Sequence, residues 1–203
     1  MAERICPWWL GYVLASPLRR WMHDPRAILG PFVADGMTVL EPGPGMGFFT
    51  LELGRLVGPA GRVVAVDVQP RMLRGLRRRA EKAGLVDRIE ARQAPSDGMG
   101  IADLEGKVDF VLAFAVVHEV PDPDRFFQDV FAALKPGCKV LLAEPAGRVT
   151  EQQLAVTLEK AAVAGLRVES RPTLRSSRSA VLVKESIGDP GGEKRISAGI
   201  PLA

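Results

Sequence analysis

The sequence predicts an α/β domain built on a seven-stranded, mostly parallel sheet with helices on both faces. Apolar runs of strand length alternate with amphipathic helical stretches from Met37 onward, which is the pattern of successive βαβ units. The last two apolar runs are separated only by a short polar segment at residues 176–178. This segment is too short for the crossover that a parallel pair requires, so the final strand should pair as an antiparallel hairpin.

The strands are predicted at residues 38–42, 62–67, 87–93, 108–115, 138–144, 166–174 and 179–184. Helices should fill the gaps. Pro70 suits the first turn of one helix, and Pro136-Gly137 should end the helix that contains Phe126 and Phe127. The stretches Pro7–Met22 and Pro25–Val33 are expected to form two helices ahead of the sheet, where both could fold over the carboxyl edge of the strands.

Three regions are predicted from this pattern. Residues 1–35 should form a helical cap or lid, and residues 36–185 the core. Residues 186–203 lack periodicity and are rich in Gly, Pro and Ser, which is typical of a flexible tail. The cap holds Trp8, Trp9, Tyr12 and Trp21. These residues could anchor it on the core, or they could line an apolar substrate pocket under a closing lid.

Composition indicates one soluble globular domain, because 47% of the 203 residues are hydrophobic and 25% are charged. No apolar run approaches the roughly 20 residues that span a bilayer, and the first residues do not resemble an export signal. Cys6 and Cys138 are isolated in sequence, which fits a reducing compartment. We therefore expect a cytoplasmic protein without a transmembrane segment.

The net charge of +3 comes from arginines scattered along the whole chain. The densest run, Arg71 to Arg79, alternates with apolar residues at helical spacing and should be a solvated helix face. The charge pattern therefore does not indicate a nucleic-acid partner.

The segment Val39–Thr50 is the most informative part of the chain. An apolar strand ends in Glu41, and glycines follow at alternate positions 43, 45 and 47. Glycines can adopt positive φ and allow a ligand to approach the backbone closely. Asp67 ends the next strand, and an acid about 20 residues beyond a glycine loop can accept hydrogen bonds from ribose hydroxyls. The dinucleotide motif would place its third glycine at Phe48, so NAD or FAD binding is disfavoured.

The pattern Glu41-x-Gly43-x-Gly45-x-Gly47, the strand-end Asp67 and the segment Val108–Asp122 together resemble class I S-adenosylmethionine-dependent methyltransferases. The likeness is greatest to the small-molecule branch that includes ubiquinone/menaquinone and arsenite methyltransferases, and it covers roughly Met37 to Lys184. The resemblance implies a Rossmann-like sheet of order 3-2-1-4-5-7-6. It also implies S-adenosyl-L-methionine as cofactor, S-adenosyl-L-homocysteine as product, and a small methyl acceptor that could be apolar.

The resemblance also implies a set of cofactor-binding residues: Glu41, Gly43, Gly45, Gly47, Asp67, Val68, Gln69, Met72, Pro95, Ser96, Ala113 and Phe114. Glu41 should face the cationic methionine end of the cofactor, or hold the glycine loop. Asp67 should bind the ribose, with Val68 or Gln69 beside the adenine.

The chain departs from the family pattern after the third strand, where relatives commonly carry an aspartate that contacts the adenine amino group. Pro95 stands at that position, and proline offers only a carbonyl and an apolar ring. Ser96 or Asp97 could supply the polar contact. Alternatively, stacking and main-chain groups could hold the adenine.

His118 follows the fourth strand and is the one candidate catalytic residue. A histidine that faces the methyl group could deprotonate a phenol, thiol or acidic carbon. The alternative is that His118 only packs and hydrogen-bonds as the strand turns into its helix. A catalytically inactive protein that keeps the cofactor pocket for binding or regulation is the second functional hypothesis, and the sequence is compatible with a homodimer.

The presence of only two isolated cysteines disfavours arsenite as the acceptor, because the arsenite methyltransferases that the chain resembles gather several thiolates around the arsenic atom. No His, Cys or acid cluster has metal-ligand spacing. We therefore predict a metal-independent reaction.

Overall fold

The computed structural model describes residues 24–95 and 97–185. Its strands are β1 (Thr38–Pro42), β2 (Arg62–Asp67), β3 (Ile89–Gln93), β4 (Val108–Phe114), β5 (Leu134–Pro145), β6 (Leu166–Ser170) and β7 (Ser177–Lys184). Its α-helices are α1 (Pro25–Leu29), α2 (Thr50–Leu56), α3 (Pro70–Lys82), α4 (Pro123–Ala133) and α5 (Glu151–Val163). Short 3-10 turns lie at Ala102–Leu104 and Val117–Glu119.

The seven strands form one sheet of order β3-β2-β1-β4-β5-β7-β6, which confirms the predicted topology. Strands β1 to β5 pair in parallel, whereas β7 is antiparallel to both β5 and β6. The predicted hairpin at the end of the chain is therefore present. Because β1, β2, β4 and β5 are neighbours and parallel, their carboxyl ends meet at one edge, where ligands of open α/β sheets bind.

Some strand boundaries differ from the prediction. Strand β5 begins at Leu134 rather than residue 138, because its first residues form a bulge: Val108 pairs with Leu134 but Phe110 already pairs with Lys139. Strand β6 ends at Ser170 rather than residue 174. Pro172 follows two residues later and has no N–H for the ladder.

Side chains that alternate along the strands form two cores, one on each face of the sheet. Leu40, Val111 and Leu142 pack with the apolar face of α4 on one face. On the other face, the strand residues Val39 and Leu112 pack with apolar residues of α1, α2 and α3. The two helical layers thus leave the strand ends available at the edges.

The segment that contains α1 belongs to the second core. Leu29 and Val33 are buried, and the ring of Phe32 stacks on Phe110 with 5.4 Å between centroids. Residues 25–33 therefore pack on a face of the sheet. The lid was predicted for residues 1–35. Its residues 1–23 and the flexible tail predicted at 186–203 lie outside the described residues, and both regions stay predictions.

Within the two described ranges, no helix is both long enough and apolar enough to cross a membrane.

Candidate active site

The glycine loop after β1 has the backbone that its sequence predicts. Gly43, Gly45 and Gly47 all have positive φ, at 66°, 55° and 83°. Few residues other than glycine adopt these angles without strain. The three glycines nevertheless differ in their surroundings.

Gly43 and Gly47 lack a side chain because the protein itself fills the space. A Cβ on Gly43 would lie 2.6 Å from Cγ2 of Val116, and one on Gly47 would lie 2.4 Å from Cδ1 of Leu76. A Cβ on Gly45 would meet no atom within 4 Å. Close ligand approach, which the sequence suggested for all three glycines, is thus supported by free space at Gly45, whereas the other two serve close packing within the chain.

Helix α3 holds the glycine loop from the other side. The Met46 side chain lies against Gly75, where an added Cβ would be 3.0 Å from Met46 Cγ. The Arg79 guanidinium donates a hydrogen bond of 2.6 Å to the Met46 carbonyl. Burial, together with the nearby Arg55, lowers the pKa of Arg79 below its ordinary value. A partly buried, charged hydrogen bond therefore fixes the middle of the loop.

Asp67 ends β2 beside this loop and is only 8% exposed. Its carboxylate accepts a 2.8 Å hydrogen bond from the Gln69 N–H and a further one from the Gly45 N–H. Burial raises the pKa of Asp67 to about 6, against the lowering effect of these two donors, and the charge of Glu119 adds to the rise. The carboxylate is thus held at the loop and titrates near neutral pH.

The residues predicted beside the adenine follow the ends of β2 and β3. Val68 is 53% exposed at the rim, whereas Met72 is buried. The Ala94 N–H donates to the Asp67 carbonyl at 3.1 Å, which brings the end of β3 to the same place. Pro95 is exposed, and its ring packs over Gly100. Ser96, one of the two residues that could supply a polar contact, lies outside the described residues.

The end of β4 offers main chain and not side chains. Ala113 and Phe114 are buried in opposite cores, and the Phe114 ring lies 4.4 Å from that of Phe49, measured between centroids. Ala115 then adopts φ 56°, a conformation that costs a non-glycine residue free energy. This turn carries Val116 onto Gly43 and so joins the end of β4 to the glycine loop.

His118 lies in the 3-10 turn after β4, with a side chain that is 18% exposed. Its Nδ1 contacts Oε2 of Glu144, the penultimate residue of β5. The other oxygen of Glu144, Oε1, accepts a 2.8 Å hydrogen bond from the Val117 N–H. Glu144 is only 1% exposed. The histidine ring is therefore fixed by a buried carboxyl group.

Glu119 interacts with both this histidine and Asp67. Its Oε1 lies 3.6 Å from His118 Nε2 and 3.5 Å from Arg148 Nη1. The same residue raises the pKa of Asp67 through its charge. The ends of β2, β4 and β5 thus share one electrostatic environment.

The predicted residues collect at one edge of the sheet. Glu41 is buried where β1 ends, and the glycine loop, Asp67 and His118 follow the ends of adjacent strands. Sequence reasoning missed Glu144, Arg79 and the strained turn at Ala115. For Glu144 a signal was present, because Leu142-Ala143-Glu144-Pro145 repeats the pattern of Val39-Leu40-Glu41-Pro42.

The residues that the structure describes contain no group of three or more His, Cys, Asp or Glu side chains placed to hold a metal ion. Cys138 is half-buried with a free thiol, and burial raises its pKa.

Comparison with known proteins agrees with this geometry. A family model described as "Methyltransferase domain" matches residues 34–177. The ubiquinone/menaquinone biosynthesis C-methyltransferase UbiE of Pasteurella multocida is 33% identical over 112 residues, which are 55% of this chain and 41% of the relative. The arsenite methyltransferase of Halobacterium salinarum is 32% identical over 121 residues, 60% of this chain and 30% of the relative. The matched segments thus cover less than half of either relative.

A solved structure has the same fold. The crystal structure of a SAM-dependent methyltransferase from Aquifex aeolicus superposes with a TM-score of 0.79 at 23% identity, covering 89% of this chain and 100% of that one.

Proposed function

Because the chain belongs to the class I S-adenosylmethionine-dependent methyltransferases, we propose that it transfers a methyl group from S-adenosylmethionine to a small acceptor. The observation that carries this proposal is the free space over Gly45 beside the buried carboxylate of Asp67. At this place the backbone of Gly45 leaves room for a ligand, and the adjacent carboxylate of Asp67 can accept hydrogen bonds from hydroxyl groups.

The residues at this edge fit the cofactor. Gly45 presents main chain to open space, and Asp67 can accept hydrogen bonds from a ribose. Val68 provides an exposed apolar surface at the rim for an adenine ring, and Glu41 provides a buried acid for an ammonium group. Because Pro95 has no polar side chain, we propose that stacking and main-chain groups contribute most of the contact with the adenine.

When bound, the cofactor supplies a methyl group that is already activated by the positive charge on sulfur. The protein then needs mainly to align the acceptor and exclude water. His118 is our candidate for the general base, because it follows β4 at the edge that carries the glycine loop and Asp67. Its Nε2 would accept the proton that the acceptor loses.

A small acceptor is favoured because the connections between elements of the described core hold no inserted domain. The side chains of Val116 and Val120, on either side of the histidine turn, are only partly buried, which suits an apolar molecule. The Pasteurella relative is named for ubiquinone and menaquinone biosynthesis, so quinols are a reasonable first class to test.

The test has two stages. Isothermal titration with S-adenosylhomocysteine should show binding, and a folded sample that does not bind would reject the proposal. Labelled S-adenosylmethionine should then be offered with panels of quinols, phenols, thiols and amines. Binding without transfer to any of these acceptors would favour the alternative of a regulatory protein that has kept only the cofactor pocket.

A further inference from the structure

The buried carboxyl of Glu144 has two partners of different kinds. The Val117 N–H is a fixed donor that points at Oε1 from 2.8 Å. The His118 ring meets Oε2 through Nδ1. The carboxyl group cannot turn away easily, because Glu144 is almost completely enclosed in the sheet.

This arrangement fixes which ring nitrogen carries the proton. An ionised carboxylate only accepts hydrogen bonds, so the nitrogen that faces it must be a donor. Nδ1 is therefore the protonated nitrogen of the neutral ring, and Nε2 has the free lone pair. Nε2 lies 3.6 Å from Oε1 of Glu119, beyond hydrogen-bond distance, so this carboxyl group does not require a proton on Nε2.

We propose that Glu144 is the positioning residue of the reaction, which holds His118 as the Nδ1–H tautomer so that Nε2 can accept the proton of the methyl acceptor. This inference rests on the proposed function only in one respect, namely that the proton accepted by Nε2 comes from a methyl acceptor. The acceptor atom X bonds the methyl carbon with an electron pair and gives its proton to Nε2, while the bond between methyl and sulfur breaks and leaves its electron pair on the sulfur of the departing S-adenosylhomocysteine. The resulting imidazolium lies between the carboxylates of Glu144 and Glu119, and it returns the proton to water after product release.

Substitution of Glu144 by Gln makes a sharp test because the two side chains have nearly the same shape. An amide has only one oxygen, and the fixed Val117 N–H requires it. The amide NH₂ then faces Nδ1 as a donor, so the neutral ring must carry its proton on Nε2. The variant is thus expected to invert the tautomer without emptying the site.

The tautomer can be read directly, because the chain contains only two histidines, His23 and His118. Nitrogen NMR on protein labelled at histidine distinguishes protonated from unprotonated ring nitrogens, and His23→Gln leaves a single ring to assign. At a pH where the ring is neutral, the wild type should show Nδ1–H and Glu144→Gln should show Nε2–H. Glu119→Gln is the matched control and should keep the wild-type tautomer.

A wild-type ring protonated on Nε2, or one unchanged in Glu144→Gln, would overturn the proposal. The measurement needs neither cofactor nor acceptor. It therefore tests the tautomer of His118 even if S-adenosylhomocysteine does not bind and the proposed function is wrong. Once an acceptor is known, Glu144→Gln should lower kcat by about 10²- to 10⁴-fold, the usual range for general base catalysis, with an unchanged Kd for S-adenosylhomocysteine. A kcat equal to that of the wild type would contradict the role.

Discussion

Gly43 and Val116 are in direct contact, so closely that a single added carbon on Gly43 would lie 2.6 Å from the Val116 side chain. The contact joins the loop after β1 to the turn after β4. The loop therefore needs glycine for two different reasons. At Gly43 a side chain would collide with Val116, whereas at Gly45 a side chain would fill the open space where a ligand could bind. Substitutions at the two positions can separate these reasons.

Gly43→Ala and Gly45→Ala are a matched pair, because both place a methyl group on a residue with positive φ. Gly45→Ala should cost about 1–2 kcal/mol of unfolding free energy from backbone strain alone, and it should greatly weaken S-adenosylhomocysteine binding. Gly43→Ala should lose roughly a further 1–3 kcal/mol through overpacking. Urea denaturation and calorimetric titration measure both effects. Wild-type affinity in folded Gly45→Ala would show that the ligand does not approach there.

A second substitution can test whether the instability of Gly43→Ala comes from overpacking against Val116. Val116→Ala in the Gly43→Ala background should recover part of the lost stability, since it removes the atom that the new methyl meets. Simple additivity of the two losses would contradict the assigned contact.

Arg79 should stabilise the glycine loop through its hydrogen bond to the Met46 carbonyl. Arg79→Met keeps much of the apolar stem but removes the charged donor, so we expect a loss of about 1.5–3 kcal/mol in unfolding free energy and weaker S-adenosylhomocysteine binding. Arg78→Met removes the same charge from an exposed position on the same helix and should change stability by less than about 0.5 kcal/mol. Equal effects in the two variants would mean that charge and not the contact matters.

Asp67 should make cofactor binding depend on pH. Its pKa is raised to about 6, and only the carboxylate can accept from both ribose hydroxyls. Affinity for S-adenosylhomocysteine should therefore fall by about tenfold from pH 7 to about pH 5 through this group. Asp67→Asn should bind more weakly at pH 7 and lose this dependence. A wild-type profile that is flat between pH 5 and 7, or one that Asn reproduces, would contradict the assignment.

The raised pKa of Asp67 has the opposite effect on stability: cofactor affinity should increase with pH, whereas the contribution of Asp67 to the unfolding free energy should decrease with pH. A folded-state pKa above the unfolded value means that the native state binds the proton more tightly, so Asp67 contributes most stability below about pH 4. That contribution is lost as the pH rises from about 4 to about 6. The unfolding free energy of the wild type minus that of Asp67→Asn should fall over this window. A difference that rises there would show that burial does not govern the carboxyl.

The protein should become more stable when Ala115 is replaced by glycine. Its φ of 56° strains a residue with a Cβ, so Ala115→Gly should raise the unfolding free energy by up to about 1 kcal/mol after the entropy cost of glycine. Ala113→Gly is the control, because Ala113 is a fully buried strand residue and should lose stability. Thermal unfolding of both variants tests the strain, and a lower melting temperature for Ala115→Gly would disprove it.

Local sequence signals were sufficient for most strands and for the final hairpin, whereas the sheet order came from the family resemblance. Alternating apolar runs determined the strands, and strand-end acids such as Asp67 stood out because they interrupt apolar stretches. The partners of these residues were harder to find. Glu144 is distant from His118 in sequence and meets it only because β4 and β5 are adjacent, and the contact between Arg79 and Met46 depends on how α3 packs. The early end of β6 and the bulge of β5 also arise from pairing and not from local propensity.

The central claim is that the glycine loop and Asp67 together bind an adenosyl cofactor. Calorimetric titration of the wild type and Asp67→Ala with S-adenosylhomocysteine at pH 7 tests it most directly. We predict saturable binding at one site per chain in the wild type and a loss of about 1.5–3 kcal/mol of binding free energy in the variant. No binding by folded wild type, or equal affinity in the two proteins, would contradict the account.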